Sequence, residues 1–245
     1  METHIASALP VSRRKALGLL SLSGAVLAGG SLAAAPLHAA PLHADALPAD
    51  AALPDIRTPA EALAELMAGN QRFVAGQPVG PHRNMARVQE LSAGQTPFAS
   101  VLSCADSRVP VEILFDQGFG DVFVCRAAGN IVTPEMIGSL EFGTAVLGSQ
   151  VLVVLGHTSC GAVKATIAGD AVPGQISTLY QHIQPAVDAT PGRELEAVAR
   201  TNARMQASLL RTASPVIGGL VRENKLIVVP AVYELATGRV TLLDP

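Results

Sequence analysis

The chain contains no tryptophan, only three cysteines, 3% aromatic residues and 15% charged residues, and each shortage excludes something. Three cysteines are too few to staple a small disulfide scaffold, so a hydrophobic core must hold the fold. Seventeen basic residues against 20 acidic ones give a net charge of −3, without the basic excess a nucleic-acid-binding surface needs. Sparse charge beside 49% hydrophobic residues excludes global disorder. Beyond one apolar run near the N-terminus, no stretch is comparable to a membrane span. A length of 245 residues suits one large domain or two small ones, with a sizeable core.

Ser12-Arg13-Arg14-Lys15-Ala16-Leu17 leads into a mild apolar stretch, Ala16 to Ala35, interrupted by Gly18, Gly24, Gly29 and Gly30. Paired arginines before such a run resemble a twin-arginine export signal, with Ala16 where that signal usually carries phenylalanine. A membrane anchor is the competing reading, which the glycines and the small-residue tail oppose. Ser31-Leu32-Ala33, Ala44-Asp45-Ala46 and Ala49-Asp50-Ala51 all fit a small-x-small cleavage point, and the choice among them stays open. We therefore expect a signal and processing region over residues 1–46, a linker over 47–57 and a single catalytic domain over 58–245. The mature chain is then periplasmic or secreted, with no stable membrane span.

Within the mature region, Thr58-Pro59-Ala60-Glu61 combines an N-cap, a proline at the first helical position and a capping-box acid. It predicts a helix through Met67, ended by Gly69. A short helical segment from residue 70, a Pro/Gly turn at residues 77–81 and a helix near Met85–Leu91 follow. Short uncharged apolar runs at 98–103, 122–125, 151–155 and 226–229 suit strands buried on both faces. Helix signals lie between them: Thr133-Pro134-Glu135 opening a stretch through Leu147, Gly161–Ile167, Arg193 to Arg211 and Pro215–Glu223. Residues 233–242 read as a hairpin turning near Gly238. Strands alternating with helices give an α/β fold, a mainly parallel central sheet flanked by helices, with a helical arm at the N-terminal side.

Two of the apolar runs end in reactive residues. One runs into Cys104-Ala105-Asp106-Ser107-Arg108-Val109, the other into Gly156-His157-Thr158-Ser159-Cys160-Gly161. A parallel sheet gathers the carboxyl ends of its strands along one edge, where ligands bind. Imidazole nitrogen and thiolate sulfur are favoured zinc donors, and three protein ligands leave a fourth position open for chemistry. His-x-x-Cys alone is more often core packing, and Asp-x-Arg alone is usually a surface ion pair. Their conjunction with Cys104 favours a metal site holding a carboxylate in one orientation. If strand geometry persists past Cys104, alternation puts Cys104, Asp106 and Arg108 on a similar side. Cys125, inside an apolar run, reads as a buried inert thiol rather than a redox partner of Cys104.

The two segments, with Gly69-Asn70-Gln71-Arg72-Phe73, Arg126-Ala127-Ala128-Gly129-Asn130, Ser139-Leu140-Glu141-Phe142 and Val232-Tyr233-Glu234-Leu235, resemble the β-class carbonic anhydrases over roughly residues 58–245. The resemblance implies one Zn2+ per chain held by Cys104, His157 and Cys160, with Asp106 and Arg108 as the catalytic dyad. It implies that Gln95 donates a hydrogen bond to substrate, that Phe123 lines an apolar carbon dioxide pocket, and that Phe142 stands where many members carry tyrosine. The implied reaction is reversible hydration of carbon dioxide to bicarbonate and a proton by zinc-bound hydroxide, with activity rising from neutral to mildly alkaline pH. Asp106 becomes a fourth zinc ligand only in a closed form. Members that switch through bicarbonate carry a tryptophan where Val101 stands, so an open site is expected here. The family also implies a homodimer or higher homo-oligomer. Rival readings are hydrolysis of carbonyl sulfide or carbon disulfide on the same scaffold, and a non-catalytic zinc- or bicarbonate-binding module.

Overall fold

The computed structural model describes residues 53–244. The expected export signal, its candidate cleavage points and most of the expected linker lie outside them.

Four parallel strands form the centre: β1 (Ala99–Ser103), β2 (Val122–Arg126), β3 (Val151–His157) and β4 (Ile227–Tyr233). Their order is β2-β1-β3-β4, and β5 (Val240–Leu242) closes the sheet antiparallel to β4 through a turn at Gly238. All five residues of β1 and all seven of β3 are buried, as uncharged runs predict for strands covered on both faces. Alternation divides them between two apolar layers. Ala99, Val101, Val151, Val153 and Leu155 pack with α1 (Pro59–Val74) and α3 (Val111–Leu114). Leu102, Leu152 and Val154 pack with α4 (Pro134–Glu141), α7 (Leu195–Ala213) and α8 (Pro215–Arg222). The outcome is the expected α/β fold. Among the described residues, no helix is long and apolar enough to cross a membrane.

Most expected elements are present, among them α2 (Met85–Glu90) and α5 (Gly161–Ala168). Three departures have physical causes. The capping box at Thr58 forms, but α1 runs through Gly69 to Val74. Gly69 is required there by packing: a Cβ would lie 1.8 Å from the Phe115 carbonyl oxygen. The helix after Thr133 ends at Glu141 and continues as a wider π-type turn over Phe142–Val146, where the Leu147 amide reaches back to Phe142. A helix not expected, α6 (Tyr180–Asp188), buries Ile183, Ala186 and Val187 at helical spacing despite an internal Pro185.

Candidate metal centre and active site

The ends of β1 and β3 carry the reactive residues, because parallel pairing aligns Ser103 with Leu155. Cys104 follows β1 directly, and His157 is the last residue of β3. Three residues on, Cys160 is the N-cap of α5, where aligned peptide dipoles favour negative charge on sulfur. Between the two ligand positions, Ser159 adopts a left-handed φ of 54°, which turns the chain sharply enough to bring Cys160 back beside His157. Its amide donates to Glu196 of α7 at 3.0 Å, anchoring that turn from outside.

Cys104, His157 and Cys160 are all buried, and their donor atoms lie within 4.8 Å of one another. His157 Nδ1 lies 2.9 Å from the Thr158 carbonyl, which can only accept, so Nδ1 carries the proton. Nε2, the other ring nitrogen, is buried without a hydrogen-bond partner among the described residues, and its lone pair is free when the ring is neutral. An orphaned imidazole nitrogen beside two sulfurs fits a soft divalent cation, and the Nδ1 contact is the outer-shell bond that fixes a ligand's tautomer. The sulfurs tell the same story. Contact with Cys160, helped by His157 and the Gly129 amide, pulls the Cys104 thiol down, while contact with Cys104 and burial push Cys160 up. Without a cation the pair keeps one proton, since two adjacent buried thiolates repel; a divalent ion supplies the charge that ionises both.

Asp106 borders this cluster, its Oδ2 3.9 Å from His157 Nε2. Arg108 grips it with a two-pronged contact: Nε to Oδ1 at 2.9 Å and Nη2 to Oδ2 at 2.8 Å, with the Arg108 amide adding a third bond to Oδ1. These bonds hold the Asp106 carboxyl well below the usual carboxylate range. The expected strand alternation is not how the pair forms. β1 ends at Ser103, and a turn at residues 107–108 folds Arg108 back onto Asp106.

Arg126 was given no role by sequence reasoning, yet it clamps this loop. Its Nε donates to the Cys104 carbonyl at 2.9 Å and its Nη2 to the Asp106 carbonyl at 2.5 Å. It stands at the end of β2 in register with Ser103, so a charged residue closing an apolar run next to the reactive strand was the available signal.

A sequence model of the carbonic anhydrase family matches residues 99–240 of this chain, which span both motifs. The carbonic anhydrase of Mycolicibacterium smegmatis is 40% identical over 192 residues, covering 75% of this chain and 93% of the relative. Carbonic anhydrase 2 of Mycobacterium tuberculosis is 36% identical over 195 residues, covering 76% and 93%. The chain belongs to the β-class carbonic anhydrase family. Membership classes it with the carbonate dehydratases, which are lyases. Solved structures agree on the fold. One of two tetrameric β-carbonic anhydrases from Sordaria macrospora superposes with a TM-score of 0.61 at 23% identity, covering 75% of this chain and 97% of that one. The β-carbonic anhydrase CcaA gives 0.59 at 25% identity, covering 74% and 95%.

Three expected substrate residues lie away from the donor cluster within a single chain. Phe123 pairs with Ser100, four residues before Cys104, or about 13 Å along the sheet. Its ring sits 6.4 Å from that of Phe142, which is 48% exposed at the start of the π-type turn. Gln95 precedes β1 while Cys104 follows it, so the strand separates them; Gln95 lines an open depression with Leu91 and Phe119. Cys125 is buried and unpaired, and burial raises its thiol, as expected of an inert cysteine.

Proposed function

We propose that this chain catalyses the reversible hydration of carbon dioxide to bicarbonate and a proton, with one zinc ion held by Cys104, His157 and Cys160. One observation carries the reading: a buried sulfur-nitrogen-sulfur donor set with an orphaned imidazole nitrogen lies against a carboxylate that an arginine keeps ionised. Zinc bound there would supply Lewis acidity, bringing deprotonation of water towards neutral pH. The remaining chemistry belongs to the protein's own groups. Ionised Asp106 only accepts hydrogen bonds, so it takes the O–H of the attacking oxygen and leaves that oxygen's lone pair free for the carbon of carbon dioxide. Arg108 occupies both carboxylate oxygens and so opposes Asp106 turning inward as a fourth ligand, which supports an open site. A purely structural site would have no use for this dyad and would favour four protein ligands.

The substrate pocket is completed, in this reading, by a second copy that supplies Gln95, Phe123 and Phe142. Their separation from the donor cluster within one chain supports it, as does the tetrameric state named for the Sordaria relative. The Arg13-Arg14 motif supports export of the folded, metal-loaded chain to the periplasm, so that both thiolates bind metal before meeting an oxidising compartment.

Asp106→Asn tests the assignment, since it preserves shape and removes the charge. The variant should keep one zinc per chain while carbon dioxide hydration falls about 100-fold or more. Undiminished turnover with zinc bound contradicts the role given to Asp106.

A further inference from the structure

The turn after β2 is buried and irregular, and its polar groups must find partners inside the protein. Two side chains one turn apart on α7 provide them. Asn202, fully buried, donates from Nδ2 to the Gly129 carbonyl at 2.8 Å. Gln206 donates to Asn202 Oδ1 at 3.1 Å and to the His182 carbonyl at 3.0 Å, and its Oε1 accepts the Val132 amide at 2.8 Å. Gly129, held between these anchors at a left-handed φ of 77°, aims its own N–H at Cys104 Sγ, 3.2 Å away. A Cβ at Gly129 would come within 2.6 Å of Ile183, so α6 packs against the turn as closely as α7 holds it.

Gln206, Asn202 and Gly129 therefore form a continuous line of buried hydrogen bonds from α7 to a cysteine sulfur. We propose that Asn202, seated by Gln206, is a positioning residue for the metal centre: by gripping the Gly129 carbonyl it fixes one side of that residue's left-handed turn, so that the N–H on the other side of the Gly129 Cα donates to the Cys104 thiolate and draws charge from that sulfur. Hydrogen bonds to coordinating sulfurs are a recognised means of tuning a metal. Here the donor is a backbone amide, and a side chain that never touches the ligand decides where it points. The inference rests on the metal reading above, and it has readouts other than turnover.

The first is made on the wild-type chain loaded with 113Cd. A through-bond correlation between the metal and the Gly129 amide proton is expected, carried by the N–H···S bond; its absence in a cadmium-loaded chain overturns the proposal. The second compares Asn202→Leu with Thr201→Val, which removes the neighbouring hydroxyl contact between α7 and Thr190 without touching the turn. In the cobalt-loaded Asn202→Leu chain the thiolate-to-metal charge-transfer band should move to longer wavelength, and a chelator should strip the metal about tenfold faster. Thr201→Val should leave both unchanged. If both variants shift band and rate alike, or Asn202→Leu shifts neither, Asn202 serves only the fold. A chain that takes up neither cadmium nor cobalt overturns the metal reading and this inference with it. One that binds them with no N–H···S signature overturns this inference alone.

Discussion

Asp106 and Arg108, two positions apart, set the electrostatics at the edge of the site. The Arg108 side chain, with its backbone amide, holds the Asp106 carboxyl low, and His157 adds to the effect. A carboxyl depressed on folding contributes stability that is present above its unfolded pKa, about 4, and is lost as pH falls through the folded value. The pair is half exposed on the arginine side, so solvent screens it and the contribution is small. Arg108→Gln should therefore lower the stability of the metal-free chain slightly at pH 7, with a deficit that shrinks below about pH 4. Urea unfolding at both ends of that range checks it; a deficit that grows on acidification contradicts it. The sulfurs make the opposite prediction. The Cys104–Cys160 pair, with Cys160 pushed up by Cys104 and burial, holds one proton in the metal-free chain and must lose it on metal uptake. Apparent zinc affinity should rise with pH and binding should release protons, both measurable by titration calorimetry in buffers of different ionisation enthalpy. Affinity independent of pH between 6 and 8, with no proton released, would contradict a proton held by the metal-free Cys104–Cys160 pair. The Cys104–His157–Cys160 cluster was legible in the sequence because Cys104 and His157 close apolar runs and Cys160 follows His157 by three residues, at the start of a helix. The Asp106–Arg108 clasp was legible as a pair but not as a geometry, since a turn replaces the expected alternation. Arg126 escaped notice because its partners are backbone carbonyls of the loop after β1, some 20 residues away in sequence, which side-chain motifs do not reveal.

At the scale of elements, Gly69 separates local propensity from tertiary demand. Read locally it ends a helix; in the structure it lets α1 lie against the Phe115 carbonyl. Gly69→Ala gains about 1 kcal/mol of helix propensity but drives a Cβ into backbone, and overpacking of this kind costs about 1–3 kcal/mol. Net destabilisation is expected in urea unfolding, and a variant as stable as wild type would show that α1 shifts freely. Strands β1 and β3 were readable because uncharged runs of that length suit burial on both faces. α6 was missed because Pro185 broke the local pattern, although Ile183, Ala186 and Val187 carry the helical spacing. The π-type turn after α4 left no local signature, and it is the turn that sets Phe142 beside Phe123.

For the whole molecule, the sheet order explains why the two motifs meet: β1 and β3 are neighbours, so their carboxyl ends share one edge. That much follows from alternating strands and helices. What alternation does not reveal is that Gln95, Phe123 and Phe142 lie off the donor cluster of their own chain. If a second copy supplies them, hydration per chain should fall on dilution in step with dissociation followed by sedimentation velocity. A monomer of full specific activity would contradict shared sites. The most direct test of the central claim is stopped-flow carbon dioxide hydration by the zinc-loaded chain from pH 6.5 to 9, against the same protein stripped by chelator. We predict a zinc-dependent rate that increases with pH and vanishes on stripping. No hydration above the stripped control, with one zinc bound per chain, would contradict it.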